Sequence, residues 1–211
     1  LKKRRKMMKK KIVVLALAMA LVPVASQATT MLADMTADNA FSLFISTDDT
    51  QLGSLVGSGS NWMVTYRMSG IELAPGVNNY LHVVASDWGV IAGFIGDFTL
   101  SDDDFSFSNG SRYMVTDTDW NVYENGFGGT LGVLSDVGVN GVVPWGVRPN
   151  IDSVAHWLWT NDGLDTYTTR YFSAEITPTG GVAPVPEPAT MLLFGSGMVG
   201  LASSRLKRKK R

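Results

Sequence analysis

The chain contains no cysteine. Disulfide staples, a thiol nucleophile and cysteine-ligated metal sites are therefore all excluded. Histidine is almost as scarce, with only His82 and His156. Each lies inside a strand-like run, which reads as a local hydrogen-bonding role, and neither H-E-x-x-H nor G-x-S-x-G occurs. Between the two ends, basic charge is limited to Arg67, Arg112, Arg148 and Arg170, while all 19 acidic residues fall between Asp34 and Glu187. Four cations against nineteen anions give this stretch a formal charge of −15. Such a surface repels nucleic acid and anionic headgroups and attracts cations, so a nucleic-acid function is excluded. Long apolar runs are missing too. The two apolar stretches, Ile12–Val24 and Ala189–Ala202, hold 13 and 14 residues, short of the roughly 20 that span a bilayer comfortably.

The other basic residues sit at the ends, where they form signals. Eight fall between Lys2 and Lys11, ahead of the Ile12–Val24 run. Ala25-Ser26-Gln27-Ala28 then places small residues at a cleavage site before Thr29. Residues 1–28 read as a secretory signal peptide and are set apart from fold reasoning. The far end runs Val185-Pro186-Glu187-Pro188, then the apolar stretch, then a membrane stop of Arg205, Lys207, Arg208, Lys209, Lys210 and Arg211. Three glycines and two hydroxyl residues within Ala189–Ala202 make a marginal membrane helix, and the six cations would hold its end in the cytoplasm. A marginal helix with a cytoplasmic stop suits a segment held briefly while the preceding motif is cut, and a permanent single-pass anchor is the alternative. Gly195-Ser196-Gly197-Met198-Val199-Gly200 spells a dinucleotide-type G-x-G-x-x-G. It lacks the strand–turn–helix setting such a site needs, so it reads as a coincidence of composition.

Motif, apolar stretch and basic end together closely resemble the PEP-CTERM signal of Gram-negative bacteria. The resemblance implies an exosortase that recognises the tail over residues 184–211 at the cytoplasmic membrane. The same signature also carries the label "ice-binding protein C-terminal domain", which does not make each bearer an ice binder. An ice binder would need a flat Thr array, and scattered pairs such as Thr168-Thr169 do not make one.

Residues 29–183 read as one all-β exported domain, large enough for a real core. Phe41, Leu43 and Ile45 alternate along one strand; Trp62, Val64, Tyr66 and Met68 alternate along another. Tyr80–Ala85, Val90–Phe98 and Arg170–Thr177 are further runs, with Gly93 and Gly96 marking a bulge or close packing. Trp157 and Trp159 are expected on one strand face. Pro75-Gly76, Asn109-Gly110, Asn125-Gly126 and Asn140-Gly141 supply turns. Asn109-Gly110-Ser111 also fits a glycosylation sequon, but a hairpin turn is the stronger reading. A β-sandwich with Greek-key or jelly-roll connections follows.

Ala37-Asp38-Asn39-Ala40-Phe41, Gly59-Ser60-Asn61-Trp62, Leu73-Ala74-Pro75-Gly76-Val77-Asn78 and Ala155-His156-Trp157-Leu158-Trp159 resemble the galactose-binding-like jelly rolls. That resemblance implies a sandwich often used to bind sugars, with a structural Ca²⁺ in many members. It transfers no ligand residue, and the metal ligands are unassigned. The acidic clusters Asp48-Asp49 and Asp102-Asp103-Asp104 read mainly as turn chemistry, with Ca²⁺ as the alternative. Of six tryptophans, Trp62, Trp120, Trp157 and Trp159 read as core. Trp88, between Asp87 and Gly89, and Trp145, between Pro144 and Gly146, are the candidate sugar-stacking platforms.

The expected protein is a non-enzymatic component of the envelope or extracellular matrix. It is exported by the Sec machinery, handled by an exosortase and associated with exopolysaccharide or other glycans, without an organic cofactor. The alternatives are a purely structural acidic matrix protein and a secreted glycosidase, since paired carboxylates are abundant.

Overall fold

The computed structural model describes residues 28–164 and 167–180. The sorting tail and its short hydrophobic helix, and the leader apart from Ala28, lie outside the described residues. Twelve strands follow one another: β1 Thr30–Asp38, β2 Ala40–Ser46, β3 Ser54–Gly59, β4 Tyr66–Glu72, β5 Asn79–Ser86, β6 Gly93–Leu100, β7 Phe105–Phe107, β8 Tyr113–Val115, β9 Asn121–Tyr123, β10 Leu134–Val139, β11 His156–Thr160 and β12 Thr169–Pro178. The only helical element among the described residues is a 3-10 turn at Asn161–Gly163.

The strands form two six-stranded antiparallel sheets packed as a β-sandwich, the all-β architecture expected. One sheet runs β10-β11-β6-β1-β4, with β8 also on β6; the other runs β3-β2-β5-β12-β7, with β9 also on β12. Alternation drives the packing, since every second side chain faces the partner sheet. Met31, Ala33 and Met35 of β1, Leu81 and Val83 of β5, and Phe172 and Ile176 of β12 are all buried in one core. Phe94 of β6 closes it across the sandwich, 5.0 Å from Phe172 and 5.3 Å from Trp120 between ring centroids. Burying each such side chain contributes about 1.5–3 kcal/mol.

The opposite face of the first sheet carries a second, smaller core of Ile95, Trp145, Ile151, Ala155 and Trp157. The residues between β10 and β11 fold over that face, and Trp145 stacks on Trp157 with ring centroids 4.3 Å apart. Gly93 has to be small because a Cβ there would lie 2.8 Å from the Trp157 ring and 3.1 Å from Trp145. Close packing, not a bulge, explains the β6 glycines.

Several sequence readings shift. The strand expected from Trp62 begins at Tyr66, because Asn61 closes a turn: its carbonyl accepts from Val64 N–H at 3.0 Å and its side chain from Met63 N–H at 3.1 Å. Trp62 is consequently half-buried on that turn, with the Arg148 guanidinium 5.3 Å over its ring. The run expected from Val90 starts at Gly93, and residues 87–92 form a loop. Trp157 and Trp159 are divided between the two cores, Trp159 lying in the sandwich interior. β1, β3 and the short strands β7 to β10 lie outside the runs that the sequence pattern marks. Gly76 and Gly110 do take the left-handed conformation, at φ +73° each. Yet Pro75-Gly76 and Asn109-Gly110 carry the chain from one sheet to the other instead of closing tight hairpins.

The registers define two poles. Asp38 opposite Gly93, Ala40 opposite Ser86 and Thr169 opposite Ser86 gather three connections at a loop pole. Thr30 opposite Glu72, Ser46 opposite Tyr80 and Ile176 opposite Asn79 place the β2–β3 and β4–β5 connections at a terminal pole. The eight residues of β5 separate them by roughly 26 Å.

Candidate functional site

The loop pole is built on Asp87, which follows β5 and is only 2 % exposed. Its N–H donates to the Thr168 carbonyl at 2.9 Å. Its Oδ1 accepts from Gly89 N–H at 3.0 Å and its Oδ2 from Tyr167 N–H at 3.0 Å. One carboxylate thereby fixes both the β5–β6 loop and the β11–β12 connection. Asn39, at the β1–β2 bend, accepts from Trp88 N–H and donates to Asp38 Oδ1 at 2.8 Å. Ala92 N–H donates to the Gly163 carbonyl at 2.9 Å and completes the interlock.

This frame holds apolar side chains out in solvent. Trp88 is 57 % exposed, Val90 85 %, Leu164 63 % and Tyr167 79 %. Tyr167 also stands at φ +55°, with Asn161 at +48° and Asp162 at +53° nearby in sequence. Asn and Asp visit this conformation readily, but for Tyr167 it costs on the order of 1–2 kcal/mol, and such outliers cluster where geometry is put to use.

Trp88 is thus exposed on its loop. Trp145 is not: it is 2 % exposed, stacked on Trp157, and its indole N–H donates to Asp38 Oδ2 at 2.8 Å. The flanking Pro144 and Gly146 mark a bend that turns the ring inward, so Trp145 supports the loop pole from beneath and offers no platform. Burial pushes the Asp38 carboxyl above its ordinary value, the Trp145 hydrogen bond restrains that rise, and the nearby Asp87 adds to it. Sequence reading missed Tyr167, which only its bond to Asp87 brings to the site.

A second polar group lies on the outer face of the other sheet. Asp49 Oδ1 stands 3.1 Å from His82 Nε2 and accepts from Ser173 Oγ at 2.5 Å. Asp49 Oδ2 accepts from Tyr123 Oη at 2.8 Å. His82 is fully buried and stacks on Phe127 with centroids 3.7 Å apart. The residue types are those of a hydrolytic triad, but the order is wrong for one: the carboxylate sits between serine and imidazole, so His82 takes no proton from Ser173. The group ties the residues after β2 onto the sheet. Burial and the Asp49 carboxylate push the Tyr123 phenol up to about 12.

Other acidic groups are similarly committed. Asp48 Oδ1 accepts from the N–H of Thr50 at 2.9 Å and from its hydroxyl at 2.7 Å, which lowers the Asp48 carboxyl. Asp102 Oδ1 accepts from Thr29 Oγ1 at 2.7 Å and Asp104 N–H at 3.1 Å, and its carboxyl is lowered as well. Asp136 Oδ2 lies 2.8 Å from His156 Nδ1. Tyr113 Oη lies 2.8 Å from Asp97 Oδ2 and 3.1 Å from Asp152 Oδ2, pinning the residues before β11 to the sheet. Among the described residues no group of three or more His, Asp or Glu side chains is placed to hold a metal ion. The Asn109 side chain accepts from Ser111 N–H at 2.9 Å and donates to the Tyr113 carbonyl at 3.0 Å, in keeping with the turn reading of that sequon. A cleft of about 560 Å³ opens near the terminal pole beside Phe105, Arg112 and Tyr113. Its guanidinium is paired with Asp103 at 2.9 Å.

Residues 184–209 match the family model described as the PEP-CTERM protein-sorting motif. The chain carries a PEP-CTERM sorting motif. This PEP-CTERM protein is therefore an exported, envelope-associated protein sorted by an exosortase. Val185, Pro186, Glu187 and Pro188 fall within the match, together with the basic residues Arg205, Lys207, Arg208 and Lys209. No curated protein and no solved structure matches the chain.

Proposed function

We propose that this PEP-CTERM protein is a non-catalytic, carbohydrate-associated component of the envelope or extracellular matrix of a Gram-negative bacterium. The Sec machinery exports it, its tail anchors it transiently in the membrane, and its loop pole engages glycan. One observation carries the reading: Trp88 is held 57 % exposed on a loop fixed by the buried Asp87. An indole presented on a fixed frame suits the apolar face of a pyranose, because stacking needs a ring whose orientation is already set. The Asp49-centred arrangement of His82 and Ser173 supports a binding role over a hydrolytic one.

Native electrophoresis of the full-length protein through gels containing polysaccharide tests it. Retardation that Trp88→Ala abolishes, with the thermal unfolding midpoint unchanged, is the expected result. Equal mobility in every glycan gel would overturn it. The −15 formal charge of the central stretch favours a second reading, a purely structural acidic matrix protein bridged by cations. That reading requires self-association to rise with added Ca²⁺ in light scattering, and a flat titration counts against it.

A further inference from the structure

We infer that the loop pole binds an uncharged polysaccharide and that Tyr167 is its second stacking ring beside Trp88. This rests on the carbohydrate reading and adds the ligand's charge class and a binding residue. Asp87 makes the two rings one device. Trp88 is the next residue along the chain, and Tyr167 is bound to Asp87 Oδ2 through its own N–H at 3.0 Å. Tyr167, at 79 % exposed, has its backbone fixed and its ring free. A side chain serving the fold would have the reverse. Val90 and Leu164 flank the pair in the same interlocked loops and are equally uncovered, so the patch is apolar, rigidly mounted and open to solvent.

Charge settles the class of occupant. The charged side chains described in these loops are all acidic: Asp38 and Asp87, both buried, and Asp162, exposed on the 3-10 turn. Arg170, at the start of β12, donates from Nε to Thr160 Oγ1 at 2.7 Å and from Nη1 to the Thr169 carbonyl at 3.1 Å. A uronate or sulfated chain would approach fixed carboxylates in a stretch of −15 formal charge. A neutral chain needs only faces to stack on and backbone or amide groups to hydrogen-bond.

The test is affinity electrophoresis of the full-length protein in gels containing dextran, galactan or alginate, paired with flotation on phosphatidylcholine vesicles. Retardation in dextran or galactan is expected, unchanged between about 50 and 500 mM NaCl because no ion pair is involved. Trp88→Ala and Tyr167→Ala should each weaken it roughly tenfold or more, as loss of a stacking anchor does. Tyr167→Phe should retain it, which separates the ring from any distortion of the loop. Binding to alginate alone, lost as salt rises, overturns this inference and leaves the carbohydrate reading standing. Neutral-glycan binding that Tyr167→Ala leaves intact removes Tyr167 from the site. Flotation with vesicles and no retardation in any gel overturns the inference and the carbohydrate reading together.

Discussion

The two poles of the sandwich use the same residue type in opposite ways. At the terminal pole, aspartates lie in turns where nearby hydroxyls and N–H groups satisfy them; Asp102 and Asp48 are held below their ordinary values by those hydrogen bonds. At the loop pole, Asp38 is buried beside Asp87 and pushed up. A carboxylate in its own turn organises the chain locally and stays wetted. One placed under a loop gives up hydration to hold distant segments together. That expense coincides with the exposed rings of Trp88 and Tyr167, whereas the terminal pole shows no such coincidence.

The contrast can be broken in order of effect. Trp145→Ala should cost the most, about 3–5 kcal/mol in urea unfolding, since it empties a stacked, buried site and strips Asp38 of its indole donor. Asp87→Ala should cost about 2 kcal/mol by leaving the Gly89 and Tyr167 N–H groups without their acceptor, and should abolish glycan retardation. Thr29→Val at the terminal pole should cost about 1 kcal/mol and leave retardation intact. The pH dependence should then split by pole. A raised Asp38 favours the fold at low pH and loses that contribution as pH rises through its folded pKa, so Asp38→Asn should flatten the stability profile above the ordinary aspartate range. A lowered Asp102 works the other way, stabilising above its ordinary value and failing as pH falls, so Asp102→Asn should cost stability at neutral pH and nothing in strong acid. Smallest of all, Trp88→Ala should shift stability by less than about 0.5 kcal/mol while removing binding.

Much of the sheet framework was legible because its alternation is local. Leu81, Val83 and Ala85 face inward exactly where the two-residue repeat puts them, and β12 falls almost where its pattern ends. β1 carries the same signal, Met31, Ala33, Met35 and Ala37 against Asp34, Thr36 and Asp38, and it ends at the Asp38-Asn39 bend. Trp62 looked like a strand residue because alternation cannot register an Asn side chain closing a turn. Trp145 and Trp88 sit in similar flanking sequence, and distant partners, Asp38 107 positions away and the stacked ring of Trp157, separate the buried ring from the exposed one. Tyr167 had no sequence signal, since an exposed tyrosine in a polar loop looks like any other. Its position depends on a carboxylate 80 residues earlier.

The eight residue pairs that join β5 to β12, from Ser86 with Thr169 to Asn79 with Ile176, have a mechanical meaning. Trp88 leaves the loop-pole end of β5, and the chain continues toward its sorting tail from the terminal-pole end of β12. Tension between a gripped ligand and a tethered tail would slide those two strands past each other. Every rung of the ladder would be loaded at once, the arrangement that resists pulling best, where peeling from one end would break the rungs singly.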